Sequence, residues 1–486
     1  MRLGVVFISL GLIIGGFFSL MAAAYGLGGL AEDFGRSHGI VGLSAIVNIV
    51  ILMLVIVMVF ATLLTLAERK WSAFMQDRVG PNRARLPIPG LSNSPIAGIP
   101  HIITDVLKML TKEAFRPKNA SKFLFNLGPM LAFAPVFALF AVVPAGPTLK
   151  VFDNPVMMVA TNLDFGLLFL FAIASLAVYG TSLAGWASNN KFALLGGVRA
   201  SSQMISYEVA LGLSLVGMMI AFSTVKLAGA EGMSEMQMHY LWSTKAGALD
   251  VGLPAWGIFI QPLGFLLFFA AAFAETKRAP FDAPEGESEI VGYFLEYSGM
   301  QFGMFMIAEF VEVVVLGGVL VAIFFGGWAL PFGNEYMMNL QIMKDHPVLL
   351  GAFFGTVFWV KVLLVVYLQM VIRWTMPRFR YDQIQKLGWQ ILLPIGLVNL
   401  FVSGALILWD PSLRALALFG FVVLGIVAFL TLTPPRQVRR EQEESTDHGG
   451  HGHGHGHGGG HGDDHGHDDH AGHGHDDHAA LPANTH

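Results

Sequence analysis

Six carboxylates crowd into ETKRAPFDAPEGESEIVGYFLEYSGM, residues 275–300: Glu275, Asp282, Glu285, Glu287, Glu289 and Glu296, with Lys277 and Arg278 the cations beside them. Four of the acids fall between Asp282 and Glu289, and Pro280, Pro284 and Gly286 keep the start of the run non-helical. Such a run is ordinarily a solvated loop. This one is interleaved with Phe281, Ile290, Val291, Tyr293, Phe294 and Leu295, side chains that favour burial. Carboxylates crowded at low dielectric repel one another, which raises their pKa values. Groups tuned in that way take up and release protons near neutral pH, chemistry that suits proton transfer rather than hydrolysis.

Further ionisable residues lie within or at the ends of apolar runs. Glu208 opens one, Glu309 and Glu312 share a helix face three residues apart in another, and Lys361 sits inside a third. A charge at the centre of a membrane helix costs at least ~2.5 kcal/mol, so each should face a protein interior or a water-filled path. Two roles stay open for them: steps in a proton path, or satisfied structural groups near an interface. A second cluster, AERKWSAFMQDRVGPNR at 67–83, brings Glu68, Arg69, Lys70, Arg78 and Arg83 to the end of an apolar run. The turn at Gly80–Pro81 either holds Arg78 in place or is part of ordinary basic anchoring.

These residues must be positioned by membrane helices. Of 486 residues 54% are hydrophobic and 13% charged, about half the usual charged share. A spanning helix needs ~20 mostly apolar residues. Charge-free runs of that kind occupy 3–31, 37–67, 124–149, 165–190, 251–274, 313–334, 387–409 and 415–435, and runs near 205–225 and 347–372 carry one ionisable residue each. The fold class is therefore all-α, a polytopic transmembrane bundle of nine to ten spans with tilted helices and amphipathic helices at one surface. With the spans alternating, 22 of the Lys and Arg residues collect on one side and six on the other, which makes the basic side, the acidic loop and both termini cytoplasmic.

Residues 1–35 form an extra glycine-rich N-terminal span, read as a retained helix in preference to a cleaved signal peptide. Residues 36–435 form the main membrane domain. Within it IPHIITDVLKMLTKEAF sets Ile103, Val106, Leu107, Leu110 and Ala114 at helical spacing opposite Asp105, Lys108 and Lys112, an amphipathic helix lying against the membrane or a partner. From 436 to 486 the chain becomes a His/Gly/Asp tail that builds no core. The histidines from His448 to His478 suit weak binding of zinc, nickel or copper, or a solvated tract without a specific role.

Several functions are excluded or disfavoured. There is no cysteine, so no thiolate-held iron–sulfur cluster and no c-type haem. No Gly-Lys dipeptide occurs, which removes a Walker A loop. His38, His101, His239 and His346 lie in loops or near span ends, so no buried pair is set to ligate a haem.

AERKWSAFMQDRVGPNR, RASSQMISYE (199–208), ETKRAPFDAPEGESEIVGYFLEYSG and RYDQIQKLGW (380–389) occur in that order. Together they resemble the H-type membrane subunits of bacterial NADH:quinone oxidoreductase, respiratory complex I, whose mitochondrial counterpart is subunit 1. The resemblance covers roughly residues 45 to 409. It implies a multi-pass subunit of the bacterial inner membrane that joins the peripheral electron-transfer arm to the proton-pumping arm and is not catalytic alone. Its substrate would be quinone, with iron–sulfur clusters, haem and flavin absent from this chain. Its partners would be lipid, the peripheral iron–sulfur and quinone-site subunits, and the small and antiporter-like membrane subunits, with no nucleic acid. By motif, Glu68, Arg69, Arg78, Asp105, Arg199 and Arg278 would line the quinone chamber. Tyr207, Glu208, Asp282, Glu285, Glu287, Glu289, Glu296 and Glu309 would form the acidic path and its supports. The loop from Arg83 to His101 is longer than the pattern, Phe310 stands where many relatives carry tyrosine, and the last span exceeds an eight-helix core. Two other classes remain: the equivalent subunit of a membrane-bound hydrogenase or other-donor complex, and a secondary transporter. The latter usually shows an internal repeat, and the acidic loop has no counterpart elsewhere in the chain.

Overall fold

The computed structural model describes residues 2–38, 42–84, 98–152, 154–246, 249–286 and 290–432. Eleven helices carry the architecture: α1 (Arg2–His38), α2 (Leu43–Met75), α3 (Ile99–Thr111), α4 (Lys122–Val142), α5 (Gly166–Ala187), α6 (Lys191–Phe222), α7 (Pro262–Glu275), α8 (Gly299–Phe324), α9 (Pro347–Thr375), α10 (Tyr381–Trp409) and α11 (Arg414–Leu432). Eight of them, α1, α2, α4, α5, α6, α8, α9 and α10, are long and apolar enough to cross a membrane. Each of the ten apolar runs of the sequence coincides, wholly or in part, with a helix.

One run differs in form. The expected span at 251–274 is divided. Its first residues belong to an antiparallel hairpin, β3 (Tyr240–Ala246) with β4 (Leu249–Pro254), which follows a smaller hairpin, β1 (Leu149–Val151) with β2 (Asn154–Val156). A helical turn, Gly257–Ile260, comes next, and α7 begins only at Pro262. Pro254 and Pro262 lack the N–H that a continuous helix would use. The 14 residues of α7 reach about 21 Å at ~1.5 Å per residue, less than the ~30 Å hydrocarbon core.

Residues up to Val427 form one compact unit, with α8 as its axis. Ninety-four per cent of the most apolar stretch of α8 is buried, against 22% for α10. Its run from Val313 to Phe324 is valine-, leucine- and glycine-rich, without a polar residue, as a helix surrounded by others requires. Around it α4 and α5 cross closely: a Cβ at Gly180 would lie 2.4 Å from the Ala132 backbone nitrogen, so only glycine fits that crossing. The N-terminal helix α1 packs against α9, with Phe17 stacked on Trp359 at 5.7 Å and the Tyr25 hydroxyl donating to Pro147 O at 2.7 Å. Helix α3 keeps Ile103, Val106, Leu107 and Leu110 between 41% and 60% exposed, which leaves an apolar face for lipid or a partner. The histidine tail lies outside the described residues.

Candidate functional site

The two charged motifs meet at one end of the bundle. Glu68, in the last turns of α2, receives Arg278 Nη1 on Oε1 and Arg373 Nη1, from the end of α9, on Oε2 at 2.8 Å. All three side chains are buried or half-buried. One carboxylate between two guanidiniums in a low-dielectric setting leaves a local excess of positive charge. The Arg278 guanidinium also lies 4.1 Å over the Phe310 ring, a favourable cation–π placement. Arg69 pairs with Asp105 at 2.5 Å and ties α2 to α3. Between α2, α3, α8 and the acidic loop lies a cavity of about 280 Å3. Glu68, Arg278, Glu285 and Glu309 supply its polar wall, and Phe294, Phe302 and Phe310 its apolar one. A cavity of that size with a few convergent polar groups suits a ring-sized organic ligand.

The acidic loop is held by its backbone. Gln203 of α6 donates from Nε2 to Ala274 O at 2.7 Å and to Phe281 O at 2.9 Å, and Phe379 N donates to Pro280 O at 3.0 Å. Gly196 of α6 lets the loop press close, since a Cβ there would lie 2.8 Å from Tyr293 N. Burial pushes the Asp282 carboxyl up to about 6, against the pull of Arg378 and Arg373. Burial also raises Glu285 well above the usual carboxylate range, and the charge of Glu309, with which it shares a hydrogen bond, raises it further. Tyr293 donates from its hydroxyl to Glu309 Oε1 at 3.1 Å. Glu285 and Glu309 are thus two facing carboxyls suited to sharing a proton.

A second group of acids continues inward. Glu312 lies one turn beyond Glu309 on α8, with Lys277 Nζ 3.4 Å from its Oε2. Glu208 of α6, Glu275 of α7 and Glu312 meet at a void of about 20 Å3 whose remaining lining is apolar, room for one water beside the three carboxyls. Ser175 of α5 donates to Glu208 Oε1. Among the described residues Glu275 Oε2, Arg278 Nε, Asp282 Oδ1 and Glu285 Oε1 are buried without a hydrogen-bond partner in the chain. Buried polar atoms of this kind are satisfied by water, ligand or a shared proton.

The other expected residues are placed apart from this cluster or at its rim. Arg78 Nε donates to Gln76 Oε1 at 2.6 Å in an exposed turn beside an open groove that also holds Arg83 and His101. The Arg199 guanidinium lies 5.7 Å over the Tyr381 ring. Tyr207 is buried and donates to Ile384 O at 2.9 Å, just before the π-helical turn Leu387–Leu392 of α10. Glu296 accepts from Asn190 Nδ2 at 2.7 Å in a separate groove at the α5–α6 turn. Glu287 and Glu289 lie outside the described residues. Conversely, sequence reasoning gave Arg373 no place in the site, noted Glu275 and Lys277 only as members of the charged stretch, and left Glu312 open between a proton-path step and a structural group. Arg373 reads as basic anchoring. The three-residue spacing of Glu309 and Glu312 was the one usable signal.

A profile of the NADH dehydrogenase family matches residues 47–404, close to the limits of the motif resemblance. The NADH-quinone oxidoreductase H subunit of Flavobacterium johnsoniae is 38% identical over 369 residues, 76% of this chain and 96% of that protein. An H subunit of the same enzyme from Cytophaga hutchinsonii is 39% identical over 352 residues, covering 72% and 93%. One from Geobacter metallireducens is 40% identical over 360 residues, covering 74% and 94%. The shared region begins in α2 and ends in α10, and it contains every residue of the charged cluster. With that match over most of its length, the chain belongs to the family of H subunits of NADH-quinone oxidoreductases.

Proposed function

We propose that the chain walls the quinone chamber of a bacterial inner-membrane NADH:quinone oxidoreductase and carries the first stretch of an acidic path that couples quinone reduction to proton translocation. The observation that carries this is the contiguity of two features. The cavity beside Glu68 and Arg278 shares Glu285 and Glu309 with a line of carboxyls that continues to Glu312, Glu275 and Glu208. The apolar wall of Phe294, Phe302 and Phe310 suits a quinone ring, and Arg278 and Arg373 suit the negative charge that the ring acquires on reduction. The electrons come from a partner subunit. A quinone that gains two electrons also gains two protons, and charge arriving beside Glu285 and Glu309 changes how tightly they hold theirs.

The basic end of the bundle faces the cytoplasm, with both termini on that side, and meets the iron–sulfur and quinone-site subunits of the peripheral arm. The small and antiporter-like membrane subunits receive the acidic path. A photoreactive quinone analogue illuminated in membranes holding the assembled complex should label α8 or the 275–300 loop, with excess natural quinone protecting. Labelling confined to lipid-facing residues of α10 would refute the chamber.

A further inference from the structure

Lys277 and Arg278 are adjacent, yet they serve different places. Arg278 reaches back to Glu68 at the cavity, whereas Lys277, with φ at +56°, turns into the protein and is 5% exposed. Its Nζ lies 3.4 Å from Glu312 Oε2 and 3.9 Å from Met204 Sδ of α6. Glu312 is also 5% exposed. The charged and titratable groups around this ammonium are Glu275 from α7, Glu309 and Glu312 from α8, Glu285, Arg278 and Tyr293 from the loop, and Glu208 from α6, which borders the same void as Glu275 and Glu312. Burial alone would lower the Lys277 pKa, but Glu312, Glu309, Glu275 and Glu285 together raise it, so the cation persists.

Resting on the coupling function proposed above, we infer that the Lys277–Glu312 pair is a positioning element of the acidic path: a fixed, buried dipole between the Glu285–Glu309 pair and the Glu275–Glu208 pair that sets how readily those carboxyls exchange protons. Crowded carboxyls at low dielectric cannot all ionise. A lysine that neutralises Glu312 removes one negative charge from the count felt by the rest. The proton that leaves one carboxyl is taken up by the next, directly or through a water in the void. Lys277 keeps its three protons and Glu312 stays ionised, so neither is consumed or reduced. A buried ion pair broken on one side leaves an uncompensated charge, whereas replacing both partners by neutral groups does not.

This predicts shifts of opposite sign. With Lys277→Met in the assembled complex, the surrounding carboxyls hold protons more tightly, and the pH profile of proton-coupled quinone reduction moves up by about one unit. With Glu312→Gln a lone cation remains, and the profile moves down by a similar amount. Lys277→Met/Glu312→Gln together return it to near the original, and Lys277→Arg leaves it in place. NADH oxidation by a water-soluble acceptor reports assembly separately. If Lys277→Met fails to assemble, the Glu312→Gln variant and the double variant carry the test between them. Unmoved profiles in the single variants, shifts of the same sign, or a double variant as displaced as a single one would overturn the inference. Glu208→Gln keeps the two levels distinct: full coupled activity there removes the acidic path itself. Loss of activity there with unmoved profiles for the pair removes only the role of Lys277 and Glu312.

Discussion

Helix α8 meets buried charge at its middle and past its C-terminal end, and the two places handle it differently. At its middle, Glu309 and Glu312 face other ionisable side chains, Glu285, Tyr293 and Lys277, beside a cavity and a water-sized void. Past its C-terminal end, Lys361 of α9 donates to Phe325 O at 2.7 Å, Gly327 O at 2.9 Å and Ala329 O at 2.5 Å, with its ammonium 4.3 Å from the Trp256 ring centre. There a cation sits on the carbonyl end of a helix, where the backbone dipoles favour it, and no carboxylate pairs with it among the described residues. Backbone carbonyls accept hydrogen bonds from such a charge but do not themselves take up its proton. Charge shared among carboxyls is poised to redistribute when a neighbour changes. The two buried lysines thus differ in their partners: Lys277 faces groups that titrate, Lys361 backbone carbonyls.

The comparison breaks first at Glu68. Glu68→Ala leaves Arg278 and Arg373 without their common anion, and removal of one partner of a buried pair costs about 3–5 kcal/mol. The expected result is a much lower unfolding temperature in detergent and loss of quinone reduction, with Glu68→Gln less severe because it keeps an acceptor oxygen. Past the C-terminal end of α8, Lys361→Met strips carbonyls of a donor, at about 1–3 kcal/mol. The unfolding midpoint should fall while the number of protons moved per NADH stays constant, and a changed ratio would erase the distinction between the two places.

The smallest effect is on pH. Asp282 is pushed by burial to about 6 from 3.8, so the folded chain binds this proton more tightly than the unfolded one. The stability it contributes is fully present below about pH 4 and is lost as pH rises through about 6. Asp282→Asn should flatten the decline in stability between those values, read by denaturant midpoints at several pH values. Glu285, raised for the same reason, keeps part of the slope.

The fold was legible where hydropathy carries it. The long apolar runs became helices, and the amphipathic spacing of Ile103, Val106, Leu107 and Leu110 became α3. The divided span before α7 was not legible, because the prolines that divide it leave the hydropathy unchanged. At the site, the density of acids was plain from composition. The partners were not: Glu68 meets Arg278 across 210 residues and Arg373 across 305, and nothing local signals either pairing. Lys277 and Arg278 have the same charge in adjacent positions, and only the backbone turn at Lys277 shows that they point to different acids.

Glu309 stands where the cavity and the buried line join, so Glu309→Gln tests the coupling claim most directly. Inhibitor-sensitive NADH:quinone reduction and proton translocation should be measured on the same membranes, with NADH oxidation by a water-soluble acceptor as the assembly control. Both coupled rates should fall about 100-fold, the low end of what a positioned acid–base group contributes, while the control stays unchanged. Coupled rates at the level of the unsubstituted complex would contradict a proton path through this carboxyl.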